Sequence, residues 1–448
     1  EPWMGWSRRA LDNAKIRLSA GSMGNGNVSP YSYTSEMTVS TADDIVLGGS
    51  YPSYTSVGST VPVSLTWEKS TTYDVGLDLD FFNNRLSVSG DYYRRYTTDM
   101  YTASVALPAV YGTGSPKGNN AEMKTDGWEL SLSWRDSFKL GGKPFDYSIK
   151  AMVWDSKSVI TKYVNDTGSL GTVKGFIENG GSPSSYYVGM TVGEIWGYTV
   201  AGLFRDQADI DSSAIHDFVQ ASDKVTRPGQ VKIADLDGNG FIDPGNFAVD
   251  DHGDLRIIGN QSPRYRYGVN LSPRWNGIGL SVFLQGVGAR DWYPGSDAGM
   301  FWGKYGRPFF ALIPSIHNYT DDMYSAERNN WDTAYWPRMT TYQSNGTKNW
   351  TRLLEIPNTR YIQSAAYLRV KNIQLDYSFP KHICSAIRLQ GLKIYVNAEN
   401  LFTFTPLHKY APNFDPEGLS YDSDFASAAD GYTYPILKSV TVGVNITF

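Results

Sequence analysis

The 448-residue sequence has one cysteine, Cys384, which excludes a disulfide framework within the chain and a zinc cluster built on cysteines. It also lacks a basic excess. It has 40 lysines and arginines and 45 acids, and the resulting net charge of −5 does not indicate a basic surface that would bind nucleic acid. No apolar run is long enough to cross a bilayer as a helix. The mean hydropathy of −0.36 resembles that of soluble proteins, but strands that alternate between lipid and water average to a similar value.

Common hydrolase motifs are missing as well. Neither G-x-S-x-G nor H-E-x-x-H occurs, and the five histidines are scattered with no pair at metal-ligand spacing. A glycan-active enzyme stays an alternative, because a retaining glycosidase needs only two carboxylates about 5 Å apart. However, the most regularly spaced acids, Asp74, Asp78 and Asp80, share one face of a predicted strand. This spacing is more typical of the water-facing wall of a barrel lumen.

Aromatic residues and glycine are abundant instead: 31 Tyr, 19 Phe, 13 Trp and 44 Gly, a composition that favours β structure. In the final ten residues, SVTVGVNITF, every second residue from Val440 to Phe448 is apolar and those between are small or polar. Since side chains alternate between the faces of a strand, this predicts a strand with one apolar face. About ten segments show this pattern at a length that suits tilted membrane crossings, among them TYDVGLDLDF (72–81), LSVSGDYY (86–93), WELSLSWR (128–135), FDYSIKAMVW (145–154) and RYRYGVNL (264–271).

The connections between these segments are short on one side and long on the other. The long ones lie near 21–70, 155–262, 290–365 and 405–433, and they are rich in Gly, Ser, Asn, Asp and aromatic residues. Short turns at one end and long loops at the other are typical of outer-membrane barrels. Aromatic residues near strand ends would suit interfacial girdles. The candidates are Tyr92, Tyr93, Tyr96, Trp128, Trp134 and Trp154.

A soluble β-sandwich would show the same alternation, because one face of each of its sheets packs inward. Two features favour the barrel. The polar faces repeatedly carry charges, and a sandwich rarely needs connections this long. Phe448, which closes an alternating strand, also resembles the terminal signature of bacterial outer-membrane proteins. The sequence therefore predicts an all-β chain that forms a transmembrane antiparallel β-barrel.

Longer motifs resemble, in order, segments of the SusC/RagA-type TonB-dependent transporters of Bacteroidetes outer membranes. The three longest are WEKSTTYDVGLDLDFFNNRLSVSGDYYRRYTTDM (67–100), RPGQVKIADLDGNGFID (227–243) and IGNQSPRYRYGVNLSPRWNGIGLSVFLQGVGARD (258–291). Shorter matches are YLRVKNIQLDYSFP (367–380), NAENLFTFT (397–405), DPE (415–417) and YPILKSVTVGVNITF (434–448). The resemblance runs from about Lys15 to Phe448, and together the motifs are highly specific.

The resemblance implies a plugged barrel of about 22 strands. Since roughly ten strands cannot close it, residues 1–448 are expected to form the C-terminal part, paired with the N-terminal part of the same barrel. Residues 155–262 and 290–365 would be extracellular loop regions. The implied location is the bacterial outer membrane, in contact with its lipid.

The same resemblance implies a function and its partners. We expect TonB-dependent active import of an oligomeric nutrient, most often a glycan fragment and in some members a peptide. A SusD-like surface lipoprotein would act as a lid, and the TonB complex would act through the N-terminal region. No bond of the cargo would be made or broken. A passive porin or adhesin is a further alternative, beside the glycan-active enzyme.

Three aromatic residues in WYPGSDAGMFWGKYGRPFF (292–310) are candidates for ligand binding: Trp292, Tyr293 and Trp302. Aromatic rings stack on the apolar faces of sugars, and neighbouring polar groups hydrogen-bond the hydroxyls. In the alternative interpretation these rings pack the loops together or contact the lid. For Trp336 that packing interpretation is preferred, because the family carries a similar stretch whatever its cargo.

The stretch DLDGNGFID (235–243) has the oxygen spacing of a calcium loop. Asp235, Asp237 and Asn239 occupy positions 1, 3 and 5, and a glycine at position 6 permits the sharp turn. Phe241 at position 7 would offer its backbone carbonyl, and Asp243 stands at position 9. The pattern predicts a candidate structural Ca²⁺ site, and no other cofactor is predicted.

The loop departs from the calcium pattern at position 12, where Asn246 replaces a bidentate acid. An acid from the insertion that follows, Asp250, Asp251 or Asp254, would have to close the ligand shell. The alternative is a turn held by Asx-type hydrogen bonds without an ion. A calcium-sensor role is not expected, because no flanking helix pair is evident.

Overall fold

The computed structural model describes residues 10–26, 34, 37–58, 65–103, 110, 117–165, 168–171, 186–215, 226–294, 301, 322–338, 356–419 and 436–448. Strands dominate. They are β1 (Leu11–Asn25), β2 (Met37–Thr41), β3 (Ser53–Val57), β4 (Glu68–Phe81), β5 (Leu86–Ala103), β6 (Lys117–Leu140), β7 (Lys143–Lys162), β8 (Glu194–Tyr198), β9 (Val200–Leu203), β10 (Val231–Ile233), β11 (Leu255–Asn260), β12 (Arg264–Trp275), β13 (Ile278–Ala289), β14 (Asp291–Trp292), β15 (Gln363–Ser364), β16 (Tyr367–Ser378), β17 (Gly391–Phe404) and β18 (Ser439–Thr447).

Ten of these strands form one antiparallel sheet, in the order β1-β4-β5-β6-β7-β12-β13-β16-β17-β18. Each strand pairs with its predecessor in the sheet, so the sheet is an up-and-down wall whose two outermost strands are β1 and β18. The remaining strands form four two-stranded sheets within the long connections. Helices are short: Gln207–Asp211, Lys381–Ala386 and a 3₁₀ turn at Pro406–Lys409. In the described part of the chain, no helix is long and apolar enough to traverse a membrane.

Tight turns join the strands at one end of the wall. The β6–β7 turn is Gly141–Gly142 and the β12–β13 turn is Asn276–Gly277, and all four residues have positive φ. Positive φ at both central residues defines the type I′ turn, whose twist matches that of the flanking strands. At the opposite end the connections run from 163 to 263, from 290 to 366 and from 405 to 438. The asymmetry predicted from the sequence is therefore present.

The strand register sorts the side chains of the wall into two faces, because partners in an antiparallel ladder point the same way. Val75 is paired with Leu18 on β1 and Tyr92 on β5, and Leu77 with Ile16 and Gly90. Val75 and Leu77 are 53% and 43% exposed although they lie within the sheet. We call this apolar surface the outer face. A surface of this extent is the kind that a bilayer covers.

Aromatic rings flank the aliphatic band of the outer face at both ends. Near the tight turns lie Phe82, Trp134, Phe138, Phe145 and Tyr147, with Phe138 and Phe145 at a centroid distance of 5.0 Å. Near the long connections lie exposed rings of four strands: Tyr73, Tyr92, Trp128, Phe402 and Phe404. Two belts around an apolar band are the arrangement of a transmembrane barrel wall.

Four of the six predicted girdle residues are on the outer face: Tyr92, Tyr96, Trp128 and Trp134. The prediction is wrong for Tyr93 and Trp154. Tyr93 pairs with Asp74 and Gly127, and Trp154 pairs with Arg266, on the opposite face. Strand alternation forbids Tyr92 and Tyr93 from sharing a face. Tyr93 instead covers Gly127, where a Cβ would lie 2.3 Å from the tyrosine Cζ.

The largest buried apolar cluster lies in the connections. Apart from Ile160 near the end of β7, its fully buried members belong to 163–263, 290–366 and 405–419. Three connections thus share one core, whose largest enclosed side chains include Trp336, Tyr198, Tyr293, Tyr361 and Phe301. We call this unit the loop domain. It packs like a small soluble protein at the end of the wall.

Candidate lumen, loop and metal sites

The inner face of the wall carries charge. Asp74, Asp78 and Asp80 lie on it together, as the alternation predicted. Arg17 Nε donates to Asp78 at 2.8 Å, and its Nη2 lies 2.9 Å from Asp91. The Ser89 hydroxyl also donates to Asp78, at 2.6 Å. A polar inner face opposite an apolar outer face is the signature of a water-filled or protein-filled lumen.

The predicted ligand-binding residues Trp292 and Tyr293 lie inside the loop domain. They are only 4% and 2% exposed. The Trp292 ring contacts Phe414 at a centroid distance of 5.0 Å and Phe301 at 6.2 Å, and the Asn358 amide donates to the Tyr293 hydroxyl at 2.8 Å. Here both rings pack loops together, the alternative given above. Their ligand-binding role stays a prediction, and Trp302 lies outside the described residues.

Trp336 holds the centre of the loop domain, as its packing interpretation predicted. Its ring stacks on Tyr361 at 5.7 Å and meets Tyr335 edge-on at 4.9 Å. Tyr335 in turn stacks on Tyr410 at 3.6 Å. Burial raises the pKa of Tyr335 and of Tyr361, so both phenols are neutral throughout the physiological range. The cluster joins three separate stretches of the chain.

The DPE motif at 415–417 is held by cations from distant strands. Arg369, 3% exposed in its side chain, lies 2.6 Å from Asp415 and 3.1 Å from Glu417, and Lys371 lies 2.6 Å from Glu417. Arg290 donates to the carbonyls of Pro416 and Leu419 at 2.6 and 2.9 Å. We call this arrangement the DPE clamp.

The clamp sets the protonation of its central acid. Burial raises the pKa of Asp415, but the Glu417 N–H and the Arg369 guanidinium lower it by more. The net pKa of Asp415 lies below its ordinary value, so the carboxylate is charged at neutral pH. The sequence showed the motif but not these cations, because Arg290 lies 126 residues from Pro416 and no local pattern links them.

The calcium-like loop brings three carboxylates together. One oxygen from each of Asp235, Asp237 and Asp254 lies within 4.8 Å of the other two. Asp235 accepts the backbone N–H of Gly238 at 2.6 Å and of Gly240 at 2.9 Å, and these bonds lower its pKa. Of the three acids named as possible substitutes for position 12, Asp254 is therefore the one whose carboxylate joins Asp235 and Asp237.

Asp254 is fully buried, in contrast to the exposed Asp237. Its two oxygens accept the N–H groups of Leu236 at 2.6 Å and Asp243 at 3.0 Å. Burial raises its pKa, and the charges of Asp237 and Asp235 raise it further. A hard cation among these oxygens would offset that repulsion, and an all-oxygen donor set is the one that Ca²⁺ prefers. The residues present thus fit the predicted ion.

The other predicted ligands are arranged around this cluster. The Asn239 side-chain nitrogen donates to Asp237 at 3.1 Å and to Asp243 at 2.9 Å, while its oxygen accepts the Phe241 N–H at 2.7 Å. Asp243 also accepts the Gly245 N–H at 2.7 Å. For Asn239 to act as a ligand, its amide would have to turn. The metal-binding roles of Asp235, Asp237, Asn239, Phe241 and Asp243 stay predictions.

Ile242, at position 8, anchors the loop to its surroundings. Its side chain is 1% exposed, and its N–H donates to the Ile215 carbonyl at 2.8 Å. The Ile215 N–H donates in turn to the Gly240 carbonyl at 2.9 Å. The calcium-like loop is therefore fixed to the loop domain core at its apolar position, with the Asp237 carboxylate exposed at the surface.

These features define a class of protein: a stretch of transmembrane β-barrel wall with an apolar outer face, a charged inner face and a folded loop domain at one end. The sequence matches the family described as TonB dependent receptor-like, beta-barrel, over residues 9–401. The chain belongs to this family, whose members are transporters and receptors of the bacterial outer membrane. The outer face of the wall therefore faces lipid.

Curated relatives agree with this assignment. The chain is 26% identical to TonB-dependent receptor P3 of Formosa agariphila, over 97% of this chain and 39% of the relative. It is 24% identical to TonB-dependent receptor SusC of Bacteroides thetaiotaomicron, over 98% of this chain and 38% of the relative. The chain thus spans about two fifths of the length of the curated relatives it matches.

A solved structure of the RagAB peptide transporter has the same fold. Its TM-score is 0.65 at 18% identity, over 98% of this chain and 41% of that chain. The RagAB peptide importer in the closed-closed state gives 0.64 at the same identity and coverage. The resemblance to the SusC/RagA type is confirmed.

Proposed function

We propose that this chain forms part of a transporter that imports an oligomeric nutrient across the outer membrane in a TonB-dependent manner. The observation that carries the proposal is the pairing of a charged lumen wall with a loop domain that has its own rigid core. The loop domain lies at the end of the wall where cargo would enter. Such a unit can hold a binding surface in place while the lumen below it opens and closes.

The partners belong to the same proposal. A SusD-like lipoprotein would close over the loop domain as a lid, and the TonB complex would act through the N-terminal part of the same barrel. The cargo is proposed to be a glycan fragment, with a peptide as the second candidate. The usual cargo of SusC/RagA-type transporters supports the glycan, and the name of the RagAB peptide importer supports the peptide. The protein itself would leave the bonds of its cargo unchanged.

Uptake measurements test the proposal. Cells carrying the intact protein should accumulate labelled oligosaccharides or peptides of one class, and deletion of TonB should abolish that uptake. Uptake that persists without TonB would favour a passive porin. Turnover of the cargo by the purified protein, free of contaminating enzymes, would favour a glycan-active enzyme. Binding to host surfaces without uptake would favour an adhesin.

We further propose that the loop 235–254 holds a structural Ca²⁺. Asp235, Asp237 and Asp254 would supply carboxylate oxygens, and Phe241 would supply its backbone carbonyl oxygen as a further ligand. When bound, the ion would offset the repulsion among three clustered acids and fix the loop to the core through Ile242. The specific support is geometric: Asp254 is fully buried, and one of its oxygens lies within 4.8 Å of a carboxylate oxygen of Asp235 and of Asp237.

Calcium titration tests this second proposal. At millimolar Ca²⁺ an extracellular site of ordinary affinity stabilises its loop by about 1–2 kcal/mol, measured as slower hydrogen exchange of the 235–254 amides. Asp237→Asn should remove that gain, because it deletes an exposed carboxylate of the cluster. Asp250→Asn, an exposed acid outside the cluster, should retain it. Equal gains in the two variants would show that the cluster does not bind the ion.

A further inference from the structure

Three cations lie together on the outer face of β5, β6 and β7, just beyond the aromatic belt near the long connections. Arg94 follows Tyr92 by two residues on β5, and Lys124 lies beyond Trp128 on β6. Lys157 on β7 is the register partner of Asp126, which is itself the partner of Arg94. Partners in the register share a face. We call Arg94, Lys124 and Lys157 the basic patch.

The basic patch has more positive charge than it can neutralise. Asp126 lies at its centre, 2.5 Å from Arg94 Nε and 3.4 Å from Lys124 Nζ. Lys157 is exposed and has no ion-pair partner among the described residues. Three cations surround one carboxylate, so two positive charges remain uncompensated.

Neighbouring acids on these strands do not restore the balance. Glu122 already pairs with Lys162 at 3.4 Å, and Asp155 pairs with Arg264 at 2.5 Å. Both pairs are neutral within themselves. These acids therefore do not neutralise the excess charge of the basic patch, which points away from the lumen.

The level of the patch on the wall identifies the kind of partner. Tyr92 and Trp128 belong to the aromatic belt, which marks the boundary between hydrocarbon and headgroups. Side chains two to four residues farther along the strands lie at the height of the headgroups, because a strand rises about 3.3 Å per residue. An anion at that height is a lipid headgroup, and the patch is continuous with the lipid-facing band.

The patch is also local to one side of the wall. At the corresponding ends of β16 and β17 the outer face carries Leu368, Phe402 and Phe404, which are register neighbours. A general rim of charge would appear on those strands too. The basic patch, with the exposed Lys69 at the same end of the neighbouring β4, therefore indicates a binding surface on this side of the wall.

We propose that the basic patch binds the phosphorylated headgroup of a lipid in the outer leaflet. Arg94 and Lys124 would keep their contact with Asp126 and present their remaining donors to a phosphate, and Lys157 would approach it from β7. Guanidinium and ammonium groups are the usual partners of phosphate in proteins. Tyr92 and Trp128 would contact the acyl chains below. The proposal rests on the membrane location and not on the identity of the cargo.

Lipid binding to the intact, detergent-extracted protein tests the proposal. The probe is bis-phosphorylated lipid A, titrated and counted by native mass spectrometry. Lys124→Gln combined with Lys157→Gln should weaken binding by about fivefold for each lysine, the usual contribution of a basic residue near anionic headgroups. Lys150→Gln, on the inner face of β7, should bind the lipid as the parent does.

Further measurements distinguish the sources of the anion. Lipid A without phosphates should bind weakly, and inorganic phosphate should not compete at the same concentration. Equal binding of the dephosphorylated lipid, competition by free phosphate, or no effect of the double variant would each overturn the proposal. The proposal would also be overturned if the double variant lost a bound lipoprotein while its lipid binding stayed unchanged. That result would identify the basic patch as a protein interface.

Folding is checked by the heat-dependent gel shift of the barrel. If the double variant fails this check, Lys157→Gln alone is used, because Lys157 has no ion pair to lose within the described residues. A folded single variant with about fivefold weaker lipid binding supports the proposal. A folded single variant with unchanged binding overturns it.

Discussion

The wall and the loop domain use the same apolar residue types in opposite ways. In the wall, Val75 and Leu77 are half-exposed on the outer face, and Asp74, Asp78 and Asp80 lie on the inner face. In the loop domain, Trp336 and Tyr361 are enclosed and the carboxylates of the calcium-like loop are at its edge. The surrounding medium explains the difference. Lipid accepts apolar side chains from a wall, whereas water drives them into a core.

Among the variants that distinguish the wall from the loop domain, Trp336→Ala should have the largest effect on stability. Removal of an enclosed aromatic ring should cost about 3–5 kcal/mol, because the cavity is walled by Tyr335 and Tyr361 and cannot collapse fully. Hydrogen exchange should become faster in 322–338 and 356–366 but not in the strands of the wall. Trp67→Ala, which truncates a 67%-exposed ring, is the matched control and should change little. Equal destabilisation of wall and loops would mean that they form one cooperative unit.

A charge on the outer face tests the other side of the comparison. Leu132→Arg places a guanidinium in the middle of the apolar band between Val88 and Ala151, at a cost of about 2–4 kcal/mol. The measurement is the urea dependence of folding into lipid vesicles. Ser131→Arg, one residue away on the inner face, should fold nearly as the parent does. Similar losses in both variants would contradict the assignment of the two faces.

The DPE clamp gives a smaller, pH-dependent test. Asp415→Asn removes a charged partner of Arg369. At neutral pH we expect the free energy of opening that protects the 405–419 amides from hydrogen exchange to fall by about 2 kcal/mol. The folded-state pKa of Asp415 lies below its unfolded value. The stabilisation is therefore present above the unfolded pKa, about 4, and is lost as the pH falls through the folded pKa.

Parent and variant should accordingly differ above about pH 5 and converge in acid. Hydrogen exchange, corrected for its intrinsic pH dependence, measures the difference. Asp332→Asn, an exposed acid of the loop domain, is the control and should show no such pH dependence. A difference that persists unchanged below pH 3 would show that the carboxylate charge of Asp415 does not hold the clamp.

Alternation of residues by itself determined the strands, their faces and the class of the fold. The reason is local: a strand exposes alternate side chains to opposite media, so its pattern records both media directly. The motifs added the family in the same way, through contiguous residues. The prediction that Tyr93 and Trp154 belong to the aromatic girdle is wrong because nearness to a strand end does not determine the face on which a side chain lies. The alternation along the strand determines that face.

Only the tertiary structure decided which loop residues meet. Asp254 completes the carboxylate cluster of the calcium-like loop, although Asp250 and Asp251 were equally plausible in the sequence. Trp292 and Tyr293 proved to be enclosed, which no local pattern distinguishes from exposure on a binding surface. Loops have no repeating relation between sequence position and direction, so their contacts depend on how distant connections pack together. That packing is decided by the whole loop domain.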